Sequence, residues 1–264
     1  HQAGKNNQEA TNQFFIGNNA GMKLKAGYGN TFVGHSAGEN SDTVSQSTLL
    51  GYFAGYSNTD GDFNVAIGYA AANQGQGSYN VIVGEFAAYN QTSGDKNVIL
   101  GRGAGYNTNG SGNVFLGHNA GTFGSLSNVN EALIISNNVM GAKAPLIYGS
   151  FQSTDPYVII NGTSRASSDY EFYVNGDAGG STAWNSYSDA RLKKDVVTIP
   201  NALHKVQQLR GINYRWKDGQ HLSDELQMGF LAQEAVKVIP EVVQTGGEYY
   251  SMQYAPITAV LVEA

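Results

Sequence analysis

An apolar run ending in Gly recurs through the first half of the chain, at Gly17, Gly34, Gly51, Gly68, Gly84, Gly101 and Gly117. The steps between these glycines are 17, 17, 17, 16, 17 and 16 residues. Three positions after each Gly stands Ala: Ala20, Ala37, Ala54, Ala71, Ala87, Ala104 and Ala120. The residue following that Ala is always Gly or Ala. Most units open with Asn four residues before the Gly, namely Asn30, Asn64, Asn80, Asn97 and Asn113. Thr48 is read as its substitute in the third unit, and Asn12, one residue further away, in the first. Runs such as Val98 to Leu100 and Val114 to Leu116 are too short for a helix and rich in β-formers. A strand and a turn of fixed length cannot bury an apolar face alone, so such units stack as coils of a β-solenoid. The constant Gly and Ala then mark corners, or places where neighbouring backbones come too close for a larger side chain. An Asn at a constant corner can bond its own turn and its stacked counterparts.

Composition agrees with this reading and removes others. Gly accounts for 34 of 264 residues, roughly twice the ordinary share. Yet 41% of residues are hydrophobic, too many for a disordered linker. The absence of a three-residue Gly period excludes collagen. With no Cys, neither disulfides nor thiolate metal sites hold the fold together. A net charge of −6 argues against a nucleic-acid partner, which usually meets a basic face. No apolar stretch approaches the ~18 residues of a membrane-spanning helix, so no membrane insertion is expected. No motif calls for a cofactor or a metal. His35 and His118 follow a repeat Gly and read as solvent-facing decoration, and Asp60-Gly61-Asp62 is shorter than a calcium loop and reads as a turn.

The repeat, over residues 12–127, resembles the β-roll of trimeric bacterial adhesin heads. It is closer still to the Asn-x-x-x-Gly-x-x-Ala-Gly repeats that precede fibre-type C-termini in bacterial surface and phage proteins. Residues 1–11 form a lead-in. Residues 128–187 leave the period and read as a β-rich transition, with short runs such as Leu133 to Ile135 and Tyr157 to Ile160. Turns at Asn161-Gly162 and Asn175-Gly176 and a Gly-rich hinge at Gly179-Gly180-Ser181, before Trp184, are expected there.

Composition changes at Ser188. From there to Ala264, 17 of 77 residues are charged and five are Gly, against 19 and 29 of the preceding 187, which marks a domain of another kind. Helices are expected over Pro200 to Arg210, Ala232 to Ile239 and Pro256 to Ala264. A strand is expected at Ile212 to Trp216 and a hairpin at Gly246-Gly247. The hexapeptide Ser188 to Lys193, then Gly229 to Glu234 and Pro240 to Val243, in this order, resemble the intramolecular chaperone family also called peptidase S74. The resemblance implies a small α+β domain that helps three chains register and then cuts itself off. It assigns the nucleophile to Ser188 and the base to Lys193, with Asp189 and Arg191 as supporting motif residues. The cleavage site is then Tyr187–Ser188. A Ser hydroxyl needs a base to become a good nucleophile, and a Lys serves as that base only when desolvation or neighbouring cations lower its pKa. Arg191 and Lys194 are the nearby cations.

The fold expected is therefore mainly β: a solenoid of about seven repeats, trimeric, followed by the chaperone domain. The function expected is that of a homotrimeric extracellular fibre, a virion tail fibre or a bacterial surface protein, attaching to a cell-surface receptor such as a glycan. A bacterial adhesin or filament subunit uses the same modules. A polysaccharide-degrading tailspike needs carboxylate pairs in a groove, whereas acidic residues are few in 12–127 and lie mostly in loops. Any enzymatic activity is thus limited to single-turnover autoproteolysis.

Overall fold

A computed structural model describes residues 2–75, 77–122, 128–137, 144–164, 171–175, 178, 187–217, 225–246 and 249–264. The expected hinge at Gly179-Gly180-Ser181 and Trp184 lie outside the described residues, as do Gly176 and Gly247 of two expected turns. Contacts divide the chain into two compact units, His1–Ser164 with Glu171–Asn175, and Arg165–Tyr170 with Gly176–Ala264.

In the first unit each apolar run of the repeat is a three-residue strand. These are β1 (Phe14–Ile16), β2 (Thr31–Val33), β3 (Thr48–Leu50), β4 (Val65–Ile67), β5 (Val81–Val83), β6 (Val98–Leu100) and β7 (Val114–Leu116). Each pairs in parallel with the next, in the register that the repeat dictates: Val65 faces Val81, Val81 faces Val98, and Val98 faces Val114. The result is a β-solenoid of about eight turns. The eighth strand, β8 (Ala132–Ile135), stacks in parallel on β7 with Leu133 facing Val114. Beyond it β9 (Ile147–Ser150) and β10 (Tyr157–Ile160) add antiparallel strands, and β11 (Phe172–Val174) a parallel one. Leaving the period after residue 127 thus changes the connections while one sheet of 11 strands runs on. The lead-in joins the stack too, with the Gly4 and Thr11 amides donating to the carbonyls of Ala20 (2.9 Å) and Gly27 (3.0 Å).

The core lies inside the coils. The middle residue of each strand from β2 to β7 points inward and is buried, as are all seven repeat alanines. The repeat glycines turn the corner with φ between +111° and +141°. A Cβ on Gly34 or Gly51 would lie 2.3 Å from the carbonyl oxygen of the next repeat Gly, so both conformation and space exclude a side chain.

The buried Asn side chains form a ladder. Asn80 Oδ1 accepts from the backbone N–H of Asn97 (2.9 Å), and Asn97 Oδ1 from that of Asn113 (2.9 Å). Their Nδ2 groups donate to the carbonyls of Gly94 (3.0 Å) and Gly110 (2.9 Å). The third unit corrects the sequence reading. Ser47, not Thr48, holds the ladder position, and its Oγ accepts from Asn64 N–H at 3.1 Å. Thr48 is the first residue of β3 and pairs with Val65. In the first unit the position belongs to Gln13, not Asn12, with Oε1 accepting from Asn30 N–H at 3.1 Å. The requirement is a side-chain acceptor at a fixed backbone position, which Ser and Gln also supply.

A second ladder, unseen in the sequence, runs two residues upstream. Ser45 N–H donates to Asp62 (2.6 Å), Asp62 N–H to Ser78 (3.1 Å), Ser78 N–H to Asp95 (2.7 Å) and Asp95 N–H to Ser111 (3.0 Å). The signal was a short polar residue six positions before the Gly, alternating in type. The loop opposite the strand also differs from a purely solvated one, since Ser41, Asn58, Gln91 and Thr108 turn inward and are buried.

Truncating a ladder Asn strands buried backbone groups. Asn80→Ala should therefore cost about 2–4 kcal/mol, while exposed Lys23→Ala stays within about 0.5 kcal/mol. Asn80→Ser should fall between them, because Ser47 already fills this role in its own coil. Equal melting temperatures for all three variants would refute the ladder's contribution.

The second unit is small and α+β. It contains α1 (Ala202–Gln208), β12 (Ile212–Tyr214) paired antiparallel with β13 (Gln227–Gly229), and α2 (Ala232–Ala235). The short pair β14 (Val243–Gln244) and β15 (Ser251–Met252) precedes α3 (Ile257–Glu263). Ala202, Ile239, Val242, Ile257 and Val260 are its buried centre. The helix expected to reach Ile239 is one α-turn that tightens before the 3-10 turn opened by Pro240, because Pro suits a first turn and not a helix interior.

Candidate functional site

Ser188 and Lys193 are brought together by a tight turn. Asp189 caps a 3-10 turn at Ala190–Leu192, its side chain accepting from the Arg191 amide at 2.9 Å. The Lys193 amide closes the turn by donating to the Ala190 carbonyl at 3.1 Å. This reversal returns the Lys193 side chain to the start of the hexapeptide, where Nζ donates to Ser188 Oγ at 2.8 Å.

In that bond the Lys is the donor and the Ser the acceptor, which is the resting arrangement of an ammonium beside a hydroxyl. To act as a base Lys193 must first shed a proton, after which Oγ–H donates to Nζ. Both residues are exposed in the single chain, and Tyr187 beside them is 96% exposed. The cation expected to assist, Arg191, is engaged elsewhere. Its guanidinium grips the Asp189 carboxylate, with Nη2 to Oδ2 at 2.7 Å and Nε to Oδ1 at 3.1 Å. Arg191 thereby shapes the turn, and its charge is matched by Asp189.

The other motif segments position the domain around its core. Gly229 closes β13 where a Cβ would come 2.4 Å from the Tyr254 hydroxyl. The missing side chain lets Tyr254 Oη accept from the Phe230 amide at 3.2 Å. Glu234 takes Arg210, with Nε to Oε2 at 3.1 Å, tying α2 to the residues that follow α1. Tyr254 and Arg210 were not singled out in the sequence, because each acts through a partner more than 20 residues away.

Four acidic residues of the solenoid are engaged by neighbouring coils. Asp42 meets Lys25 (3.1 Å), Glu85 meets Arg102 (2.9 Å), and Asp62 and Asp95 sit in the second ladder. His35 stacks on Tyr52 at 4.8 Å, and His118 Nε2 lies 3.2 Å from Arg102. Asp60 and Asp62 flank a turn in which Gly61 exchanges hydrogen bonds with the Asn58 side chain. Among the described residues no helix is long and apolar enough to cross a membrane.

Residues 188–244 match the peptidase S74 family, described as the chaperone of endosialidase. The match lies downstream in sequence of the β-solenoid, an order consistent with a tail-fibre-like protein that ends in a chaperone domain. No curated protein matches the chain.

The Arg191 guanidinium, and then its amide, hold the Asp189 carboxyl below its ordinary range. A depressed carboxyl stabilises the turn above its unfolded pKa, and that contribution fades as pH falls through the lowered folded value. Arg191→Ala should move the Asp189 midpoint, read by carboxyl-carbon NMR, up toward the ordinary value. An unchanged midpoint would show that the pair does not set it.

Proposed function

We propose that this chain is a homotrimeric, extracellular, tail-fibre-like protein that attaches to a cell surface, and that its C-terminal domain registers the three chains. The observation that carries the reading is the S74 match downstream of a β-solenoid, since chaperone domains of this family are associated with trimerisation. The solenoid is the shaft, and its exposed loops meet the receptor, with surface glycan as the class of ligand. A polysaccharide-cleaving role gains no support, because Asp42 and Glu85 are committed to ion pairs and Asp62 and Asp95 to a ladder.

We further propose that the domain releases itself at Tyr187–Ser188. Once Lys193 is neutral, it takes the proton of Ser188 Oγ. The oxygen attacks the Tyr187 carbonyl carbon, and the Tyr187–Ser188 C–N bond breaks as the Ser188 nitrogen takes up a proton. Water then hydrolyses the resulting ester, giving a Tyr187 carboxylate and a fragment that begins with free Ser188. The hydrogen bond at 2.8 Å supports the pairing of nucleophile and base. The solvent exposure of Ser188 and Lys193 in the single chain supports a requirement that assembly bury the pair before the reaction.

Light scattering of the uncut protein should give three times 28.1 kDa. On incubation at mildly alkaline pH, mass spectrometry should detect the fragment starting at Ser188. Ser188→Ala removes the attacking oxygen and Lys193→Arg keeps its proton, so both should stay intact while still assembling. A trimer of wild-type chains that never cleaves contradicts autoproteolysis, and cleavage persisting in Ser188→Ala assigns the cut to another protease.

A further inference from the structure

Seven positions after each repeat Gly, a column of residues runs along the inside of the coils: Leu24, Ser41, Asn58, Gly75, Gln91 and Thr108. All six are buried. Asn58 shows what an amide side chain does there. Its Oδ1 accepts from the Gly61 N–H and its Nδ2 donates to the Gly61 carbonyl, both at 2.9 Å, so the loop is closed from within. Gln91 completes half of that pattern in its own coil. Its Nε2 donates to the Gly94 carbonyl at 3.1 Å. Its Oε1 is buried and has no hydrogen-bond partner among the described residues.

Between Asn58 and Gln91 the column holds Gly75, which brings no side chain. A cavity lies at that rung, with Asn58, Asn64, Gly75, Gly77, Asn80 and Gln91 in its lining. Its room, about 10 Å³, is about the least that holds one water molecule. Cavities of this size stay empty where their walls are apolar, whereas four side-chain amides face this one. No lining residue is charged, and the walls offer donors as well as acceptors, which suits water and not a cation seeking a cage of oxygens. Gly77 stands three positions before the ladder residue Asn80, as Gly61 stands before Asn64. The backbone group that Asn58 satisfies in its coil therefore has its counterpart on the wall of the cavity.

We propose that this cavity is a binding site for one ordered water molecule, which does in the coil of Gly75 what the Asn58 amide does in its own. The water accepts from the Gly77 N–H and donates to Gln91 Oε1. Its second hydrogen has the spare lone pairs of Asn58 and Asn64 Oδ1 in the same lining. Three hydrogen bonds are the usual number for a buried water. The site relieves Gln91 of an unpaired acceptor in the interior, which is costly wherever it occurs. Space does not demand Gly at this position. A Cβ on Gly75 would meet the Ala72 carbonyl oxygen at 3.2 Å and the Ala72 Cβ at 3.3 Å, a tight fit and not an overlap. The inference concerns the interior of one chain and is independent of how many chains assemble.

A high-resolution crystal structure of the full-length chain tests the site directly. One density peak within hydrogen-bond distance of both the Gly77 nitrogen and the Gln91 side-chain oxygen upholds it. A cavity without density, or a Gln91 side chain folded back to fill it, overturns it. Two variants test the role of the water in solution. Gly75→Ser puts a hydroxyl where the water lies, able to donate to Gln91 Oε1, and Gly75→Ala puts only a methyl there. Both remove the same glycine flexibility, so their difference isolates the hydrogen bond. Gly75→Ser should melt about 2–4 °C above Gly75→Ala. Equal melting temperatures overturn the proposal. If neither variant folds, the wild-type density alone decides.

Discussion

At the corner after each strand of the solenoid, the chain passes so close to the next coil that a side chain has no room. For Gly17 to Gly101 a Cβ would sit 2.3–2.6 Å from the carbonyl oxygen of the following repeat Gly, well inside any real contact distance. That approach fixes the spacing of the coils and puts the strands in hydrogen-bonding register. It also places the residue four positions before the Gly where its side chain reaches the next backbone N–H. The Asn ladder, the Ser/Asp ladder and the sheet follow from one backbone geometry, repeated with loops that differ by a residue without disturbing the strands.

Register has a consequence for the outside of the molecule. Because side chains alternate along a strand, holding every middle residue inward holds its two neighbours outward in all eight rungs. The same constraint that builds the interior therefore builds a long apolar exterior, much of which stays exposed among the described residues. A downstream domain of a family associated with trimerisation is a physically coherent companion to such a surface. Stacked repeats make register slips easy, since each coil resembles the next, and the role proposed for the C-terminal domain, aligning chains before they assemble, answers that problem.

Much of this was legible in the sequence, because a strict period translates directly into stacking. What escaped was read by residue type where the structure selects by position. Ser47 and Gln13 serve in the ladder because they supply an acceptor oxygen at the right backbone site, and Asp62 and Ser78 alternate in a second ladder for the same reason. The run Leu133 to Ile135 was legible as extended, but its place as the next parallel rung was hidden because Leu133 follows Val114 by 19 residues instead of 16 or 17. In the C-terminal unit, β13 escaped since Gln227, Met228 and Gly229 show no alternating pattern. The spacing of Ser188 and Lys193 was visible, but the capped 3-10 turn that makes five residues span 2.8 Å needed the structure. So did the engagement of Arg191 by Asp189, which only geometry reveals.

The claim on which the rest depends is that the coils are locked together by this backbone register, and hydrogen exchange read by mass spectrometry tests it most directly. Peptides containing the ladder amides of Ser47, Asn64, Asn80, Asn97 and Asn113 should hold their protons together, long after peptides spanning residues 187–196 have exchanged fully. If the repeat peptides exchanged as early as that exposed segment, or each coil exchanged independently of its neighbours, the stacked solenoid would be contradicted.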